Sequence, residues 1–277
     1  MKTFCNQLSS TMLIPLWAKA VEAHSEDPIL MDCNAEKILR EVGCDLNLYS
    51  ARRQNPSQVG CCLRAKWIDD HALNFINNHP QCQVIQLGAG LDDRFRRIGM
   101  PDEVAHWYDL DLDEVAELRH TLIPEAERSE ILAMNLFDIR WMVRLSHHKM
   151  PTLVIMEGVM PYLERGRVGQ LFDDMARILG DVVVLFDSVP HIAVGRAKYH
   201  DSVQKYNKKV EYTFGLKEAK EVEDLSEQVD LVDMDFMSDL DKAYKFSWLL
   251  RMAYRIPWCY RNMNQLLLKI RIRPSEE

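Results

Sequence analysis

The sequence predicts a doubly wound α/β sheet, and three observations carry that reading. From residue 81 onward, short apolar runs alternate with stretches of helical periodicity. The first run, 83–87, ends in Gly88-Ala89-Gly90, where glycines let the backbone turn tightly and approach a ligand. The second closes on Trp107-Tyr108-Asp109-Leu110-Asp111, which sets an acid ~20 residues beyond the glycine turn. In open α/β sheets ligands bind outside the carboxyl ends of the strands, and an acid at this spacing suits both hydroxyls of a ribose. Each feature also has a plainer reading. The glycines can serve a structural turn, and Asp109 and Asp111 can cap the following helix.

Taken in order, residues 1–80 read as an N-terminal helical cap, part of the same domain as the 81–277 core. In 14–24, Leu16, Trp17, Ala20 and Val21 share one side. Asp32 can cap a second helix holding Ile38 and Leu39. The third helix, about 62–78, carries Leu63, Trp67, Ile68, Leu73, Phe75 and Ile76 on a broad apolar face, and Pro80 closes it. Strands follow at 83–87, 104–109, 131–134, 153–157 and 182–187. Between the last two, Val168, Leu171, Phe172, Met175, Ile178 and Leu179 recur at helical spacing. Arg94, Arg96 and Arg97 read as a solvated helix face, or with Arg94 turned inward toward Asp92 or Asp109. Residues 191–226 are polar and poorly periodic, as expected of a lid or a substrate-facing insertion. The β-rich run 265–272 is expected to pair antiparallel at the sheet edge.

A chain of 277 residues buries roughly 75% of its unfolded surface and needs no disulfide staples. The net charge of −8 argues against a nucleic-acid partner. Seven cysteines without a CxxC spacing argue against zinc and against a disulfide framework, so no metal is expected and the thiols suit a reducing cytoplasm. Residues 12–18 are apolar but short, contain Pro15 and run into Lys19 and Glu22, which reads as an amphipathic helix, not a leader or a membrane span. The expected partner is a small-molecule acceptor, with no nucleic acid and no membrane, on a monomer or weak homodimer.

Charge narrows the nucleoside. A dinucleotide site wants a third glycine, so that a helix N-terminus can meet the pyrophosphate. Asp93 stands at that position and Asp92 precedes it. Two carboxylates repel a pyrophosphate but tolerate a sulfonium or an ammonium, which favours S-adenosylmethionine over NAD.

Four stretches then carry a resemblance. They are Leu16-Trp17-Ala18-Lys19-Ala20-Val21-Glu22, Arg64-Ala65-Lys66-Trp67-Ile68-Asp69, Leu87-Gly88-Ala89-Gly90-Leu91-Asp92-Asp93-Arg94-Phe95 and Glu157-Gly158-Val159-Met160-Pro161-Tyr162-Leu163. Together they resemble the leucine carboxyl methyltransferase family, and more closely its bacterial small-molecule branch. The likeness runs from about residue 12 to 187 and fades beyond, apart from Phe214-Gly215. It implies a seven-stranded, Rossmann-like class I methyltransferase sheet with S-adenosylmethionine as cofactor. It further implies that Arg64 pairs with the cofactor's carboxylate, that Gly88, Ala89 and Gly90 line its backbone approach, and that Asp111, with Asp109 as the alternative, holds the ribose. Glu157 would face the cofactor's ammonium. Asn135-Leu136 stands where the family has Asp-Leu against the adenine; an asparagine carbonyl can accept the same amino hydrogen bond without charge.

Small-molecule O-methylation is the expected reaction. A carboxylate acceptor needs no base, whereas a phenol is helped by one, and Tyr162 and His191 are the candidates. His191 also reads as an exposed loop histidine, and Tyr162 as a packing aromatic. The rival reading is methylation of a protein's C-terminal leucine carboxylate. A reading from another class is a non-catalytic module that binds the cofactor.

Overall fold

The computed structural model describes residues 10–43, 56–196 and 211–275. The chain begins with three helices, α1 (Ser10–Glu22), α2 (Ala35–Glu41) and α3 (Pro56–Asn78). Strand β1 (Cys82–Leu87) leads through the glycine turn into the short α4 (Arg94–Arg97), then β2 (Val104–Asp111), α5 (Asp113–Leu122) and β3 (Ser129–Ala133). The chain returns through α6 (Arg140–Ser146) to β4 (Thr152–Met156), α7 (Arg165–Ile178) and β5 (Val182–Ser188). It ends with β6 (Val229–Phe236), α8 (Trp248–Tyr254), α9 (Pro257–Met263) and β7 (Leu266–Ile272).

The sheet has seven strands in the order β3-β2-β1-β4-β5-β7-β6. The first five are parallel, and β7 runs antiparallel to both neighbours. This corrects the expected place of the last strand, which is second from the edge, between β5 and β6. The edge strand β6 was not expected from the periodicity. Its Asp230, Asp233 and Asp235 interrupt any apolar run, and most of its residues are part or fully exposed. Charge on an edge strand discourages pairing with another chain.

Alternation along the strands divides the interior in two. Val84, Leu153, Ile155 and Leu267 face one core, shared with α1, α2 and α3; Ile85, Leu87, Val154, Met156 and Leu268 face the other, shared with α6 and α7. Strands covered on both faces read as largely apolar runs, which makes β4 legible; β1 is as fully buried but carries Gln83 and Gln86, and it is legible from Val84, Ile85 and Leu87 before the glycine turn. The N-terminal helices thus share a core with the sheet. Asp32 accepts the backbone N–H of Ala35 at 3.0 Å and so anchors the start of α2. The amphipathic reading of α1 needs correction: Lys19 and Glu22 are each only 2% exposed, so its polar side is buried too.

Between β1 and β4 the chain direction across the sheet reverses. At such a switch point the loops leaving adjacent strands diverge and leave a crevice at the carboxyl edge. The glycine turn leaves β1 there, and Glu157 follows β4.

Candidate active site

The glycine turn is held open by its own geometry. Gly88 has φ +65°, and a Cβ on it would lie 2.5 Å from Val159 Cγ2, so no other residue fits without displacement. Asp111 lies across from the turn and accepts from the N–H of Gly90 at 2.7 Å. Its other oxygen accepts from Leu112 N–H at 2.8 Å. A carboxylate has about four acceptor sites, so Asp111 keeps capacity for hydroxyls of a ligand.

Asp109 faces elsewhere. It is buried, accepts from Trp107 Nε1 at 3.0 Å and pairs with Arg119 of α5. Burial pushes its carboxyl up, and Arg119 and the Trp107 hydrogen bond pull the other way. Arg119 in turn donates to the carbonyls of Gly90 and Asp92 at 2.8 and 2.9 Å. Asp109 therefore holds the residue that clamps the glycine turn, and Asp111 is the acid at the turn itself.

Behind the turn lies a buried charge network. Lys19 Nζ donates to Asp92 at 2.6 Å and lies 4.0 Å from Glu157. Arg64 reaches Glu157 at 3.2 Å and Asp187 at 3.0 Å. Arg94 pairs with Glu157, with Asp69 at 2.8 Å and with Asp92 at 3.3 Å. Arg97 meets Asp32 at 2.9 Å, Asp69 at 2.8 Å and Asp92. The expected solvated face of α4 is thus corrected at Arg97, whose side chain is 3% exposed, while Arg94 is fully buried and turned inward toward Asp92, the alternative expected for it. Asp93 is held by Asn34 Nδ2 at 2.7 Å and Arg96 at 3.0 Å. Asp92 and Asp93 already have cationic or amide partners, so they do not stand free to receive a sulfonium.

The charge argument survives at the level of the whole network. Among the described residues it joins four cations (Lys19, Arg64, Arg94, Arg97) to five carboxylates (Asp32, Asp69, Asp92, Glu157, Asp187), a formal excess of one negative charge. Burial would raise Glu157, but Lys19, Arg94 and Arg64 overcome it and hold its carboxyl down to about 2. Asp187 is pushed up by burial despite Arg64. Among the described residues, five buried side-chain atoms lack a hydrogen-bond partner, and Gln86 Oε1 and Arg94 Nη1, on residues that contact Asp92, are two of them. A ligand bearing a sulfonium, an ammonium and a carboxylate has net charge +1 and both donors and acceptors, so the residues fit S-adenosylmethionine.

The remaining candidates are spread along the carboxyl edge. Asn135 follows β3, is exposed, and its side-chain oxygen accepts from Phe137 N–H at 2.9 Å. The Leu136 carbonyl accepts from Trp141 Nε1 at 2.9 Å. Gly158 accepts φ +67°, and its N–H donates to Asp187 at 2.6 Å. A Cβ there would lie 3.1 Å from Arg64 Nη2, so this glycine gives Arg64 room beside β4. Tyr162 is 38% exposed, with its ring 5.7 Å from that of Tyr212. Burial pushes the Tyr162 hydroxyl up to about 12. His191 begins a turn after β5 and is exposed. Residues 211–216 bridge the two loops: Thr213 N–H donates to the Pro161 carbonyl at 2.8 Å, and Pro190 pairs with Leu216. Of the expected lid, 197–210 lies outside the described residues.

Sequence reading missed Lys19, Arg119 and Asp187. Asp187 carried a signal, being an acid that ends an apolar strand as Glu157 does. Lys19 stood within an apolar helix stripe, which was a weaker one. Arg119 carried none.

The sheet order, reversed between β1 and β4 and with β7 antiparallel, is that of the class I S-adenosylmethionine-dependent methyltransferases, and the acid facing the glycine turn suits a nucleoside. Comparison with known proteins agrees. A methyltransferase-fold protein from Thermobifida fusca YX superposes over 96% of this chain and 94% of its own at TM-score 0.58 and 11% identity, a likeness of fold alone. The sequence pattern of leucine carboxyl methyltransferase matches residues 12–176. The chain belongs to the leucine carboxyl methyltransferase family. It is 28% identical to the tetracenomycin polyketide synthesis O-methyltransferase of Streptomyces glaucescens over 242 residues, 85% of this chain and 87% of that one. It is 30% identical over 175 residues to an S-adenosyl-L-methionine-dependent methyltransferase, dpfgK, of Gibberella zeae, covering 58% of each.

Proposed function

We propose that this methyltransferase transfers a methyl group to an oxygen of a small-molecule acceptor. The observation that carries the reading is the similarity to the tetracenomycin polyketide O-methyltransferase, which extends over 87% of that protein. Bound S-adenosylmethionine supplies an electrophilic methyl group on a sulfonium. Asp111 accepts the ribose hydroxyls, and Gly88, Ala89 and Gly90 let the backbone pass close to the ligand. Arg64 has N–H donors beyond the two already engaged, and these receive the carboxylate of the methionyl part. Glu157, ionised, would face its ammonium through the acceptor sites that its pairs with Arg64 and Arg94 leave open. Asn135 and Leu136 border the adenine.

Methyl transfer is an in-line displacement, and holding the acceptor oxygen against the methyl carbon can supply roughly 7–11 kcal/mol. The acceptor lies at the carboxyl edge beside Tyr162, Tyr212 and the His191 turn. With its hydroxyl pushed up to about 12, Tyr162 is a hydrogen-bond donor at neutral pH and a poor base. That favours an acceptor that arrives ionised, a carboxylate or an acidic phenol, with His191 the remaining base for a neutral one. The molecule acts as a monomer or weak homodimer.

The test is a methyl-transfer assay with S-adenosylmethionine labelled in the methyl group. Aromatic carboxylates and phenols are offered beside a peptide ending in leucine. Turnover of the aromatic acceptors, and none of the peptide, is expected; robust turnover of the peptide alone would overturn the reading.

A further inference from the structure

The connection between β6 and β7 presents a surface that methyl transfer does not use. It folds into α8 and α9, and neither helix contains a buried residue. Its large apolar side chains point outward: Trp248 is 66% exposed, Leu249 63%, Trp258 58% and Ile256 54%. Trp248, Met252 and Ile256 recur every fourth residue with Leu249 beside them, which forms one stripe along α8 and its end. Exposed apolar groups scattered singly need no explanation, but a contiguous cluster marks an interaction site.

The charge of the same segment is opposite to that of the chain. Between β6 and β7 there are five cations and two carboxylates, Asp239 and Asp241, and from Lys242 to Gln265 no carboxylate, in a protein of net charge −8. Lys242 and Lys245 are taken up by Asp27 and Glu22. Arg251, Arg255 and Arg261 are exposed and have no carboxylate partner among the described residues.

We propose that α8 and α9 dock this protein on an anionic lipid membrane, lying in the headgroup layer. Tryptophans and aliphatic side chains enter the acyl boundary, while the arginines meet lipid phosphates. A second copy of the chain fits less well. A symmetric contact through this face would set the three arginines against their own counterparts, and the neighbouring acid, Asp239, is already engaged by Tyr260 of α9. Single-stranded nucleic acid would account for the tryptophans by stacking but not for Leu249, Met252 and Ile256. Docking also brings the His191–Ala193 turn near the lipid, because α9 packs against it. The membrane contact expected to be lacking from the sequence is here a peripheral one; among the described residues no helix is long and apolar enough to cross a membrane.

Sedimentation of the purified full chain with vesicles tests this. Strong binding is expected to phosphatidylcholine vesicles containing phosphatidylserine, weak binding to phosphatidylcholine alone, and loss of binding as salt rises. The W248S/W258S variant should lower the partition coefficient by more than about tenfold, since each indole removes a large apolar area from the contact. Both side chains are exposed, so an unchanged thermal transition confirms that this variant folds. Equal binding by the variant, or no binding to anionic vesicles at low salt, overturns the proposal. So does a dimer in sedimentation equilibrium that the same variant abolishes, which would assign the face to a second copy.

Discussion

Single carboxylates near the glycine turn have separable tasks, and substitutions should separate them. Asp111→Ala is expected to weaken S-adenosylmethionine binding by about 1–3 kcal/mol, measured by calorimetric titration, because it removes a charged acceptor from the turn. Unchanged affinity would move the ribose contact to another acid. Arg119→Ala should act on folding instead. It leaves Asp109 buried without its ion pair and frees the Gly90 and Asp92 carbonyls, and should cost about 3–5 kcal/mol in urea unfolding. Asp109→Asn should cost less, since Arg119 keeps its carbonyl partners. Glu157 sets a pH dependence. Its folded pKa, about 2, lies below the ordinary 4.5, so its stabilisation is present above the unfolded value and is lost as pH falls from about 5 to 2. Asp187, raised by burial, contributes in the opposite sense and offsets part of that loss. Glu157→Gln should flatten the acid limb of a plot of unfolding free energy against pH; an unaltered limb would show that other carboxylates govern it.

Among the elements, those with an apolar period were legible and those organised by charge were not. The fully buried β4 stands out as an apolar run with Glu157 at its end, and β1, interrupted by Gln83 and Gln86, is marked by the glycine turn that follows it. The solvated face expected of α4 fails at Arg97 because a four-residue helix carries no period, and its partners Asp32 and Asp69 come from distant segments; the inward turn of Arg94 toward Asp92 was legible from their proximity in the chain. Burial of Lys19 and Arg94 depends on such long-range pairs, which no local pattern announces. β6 escaped because an edge strand with three acids lacks the apolar alternation of an inner one. The turn between β1 and α4 supplies the prediction at this scale. Gly88→Ala should lower both stability and cofactor affinity, by about 1–2 kcal/mol each, because the added Cβ meets Val159 and the positive φ is strained. Adding Val159→Ala relieves the contact but not the backbone strain, so a double-mutant cycle should show partial recovery. Full recovery would mean that φ costs little here.

Across the whole molecule, β7 joins parts that are otherwise separate. It pairs with β5 on one side and β6 on the other, and so ties the α8–α9 hairpin to the parallel half of the sheet. Truncation before Leu266 should therefore cost more than one strand. β6 loses its only strand neighbour among the described residues, and β5 acquires an unpaired edge of high β propensity. The truncated chain should partition into aggregates and show no cooperative thermal transition by circular dichroism; a soluble, cooperative fragment would show that β5 closes the sheet alone. The same topology has a consequence for the order of events on the ribosome. About 30 residues separate the end of β6 from the start of β7, and at synthesis rates of about 5–20 residues per second β6 waits roughly two to six seconds for its partner. During that interval the acids of β6 are what stand between a nascent chain and its neighbours on the same polysome, so their value lies in birth as much as in the finished fold.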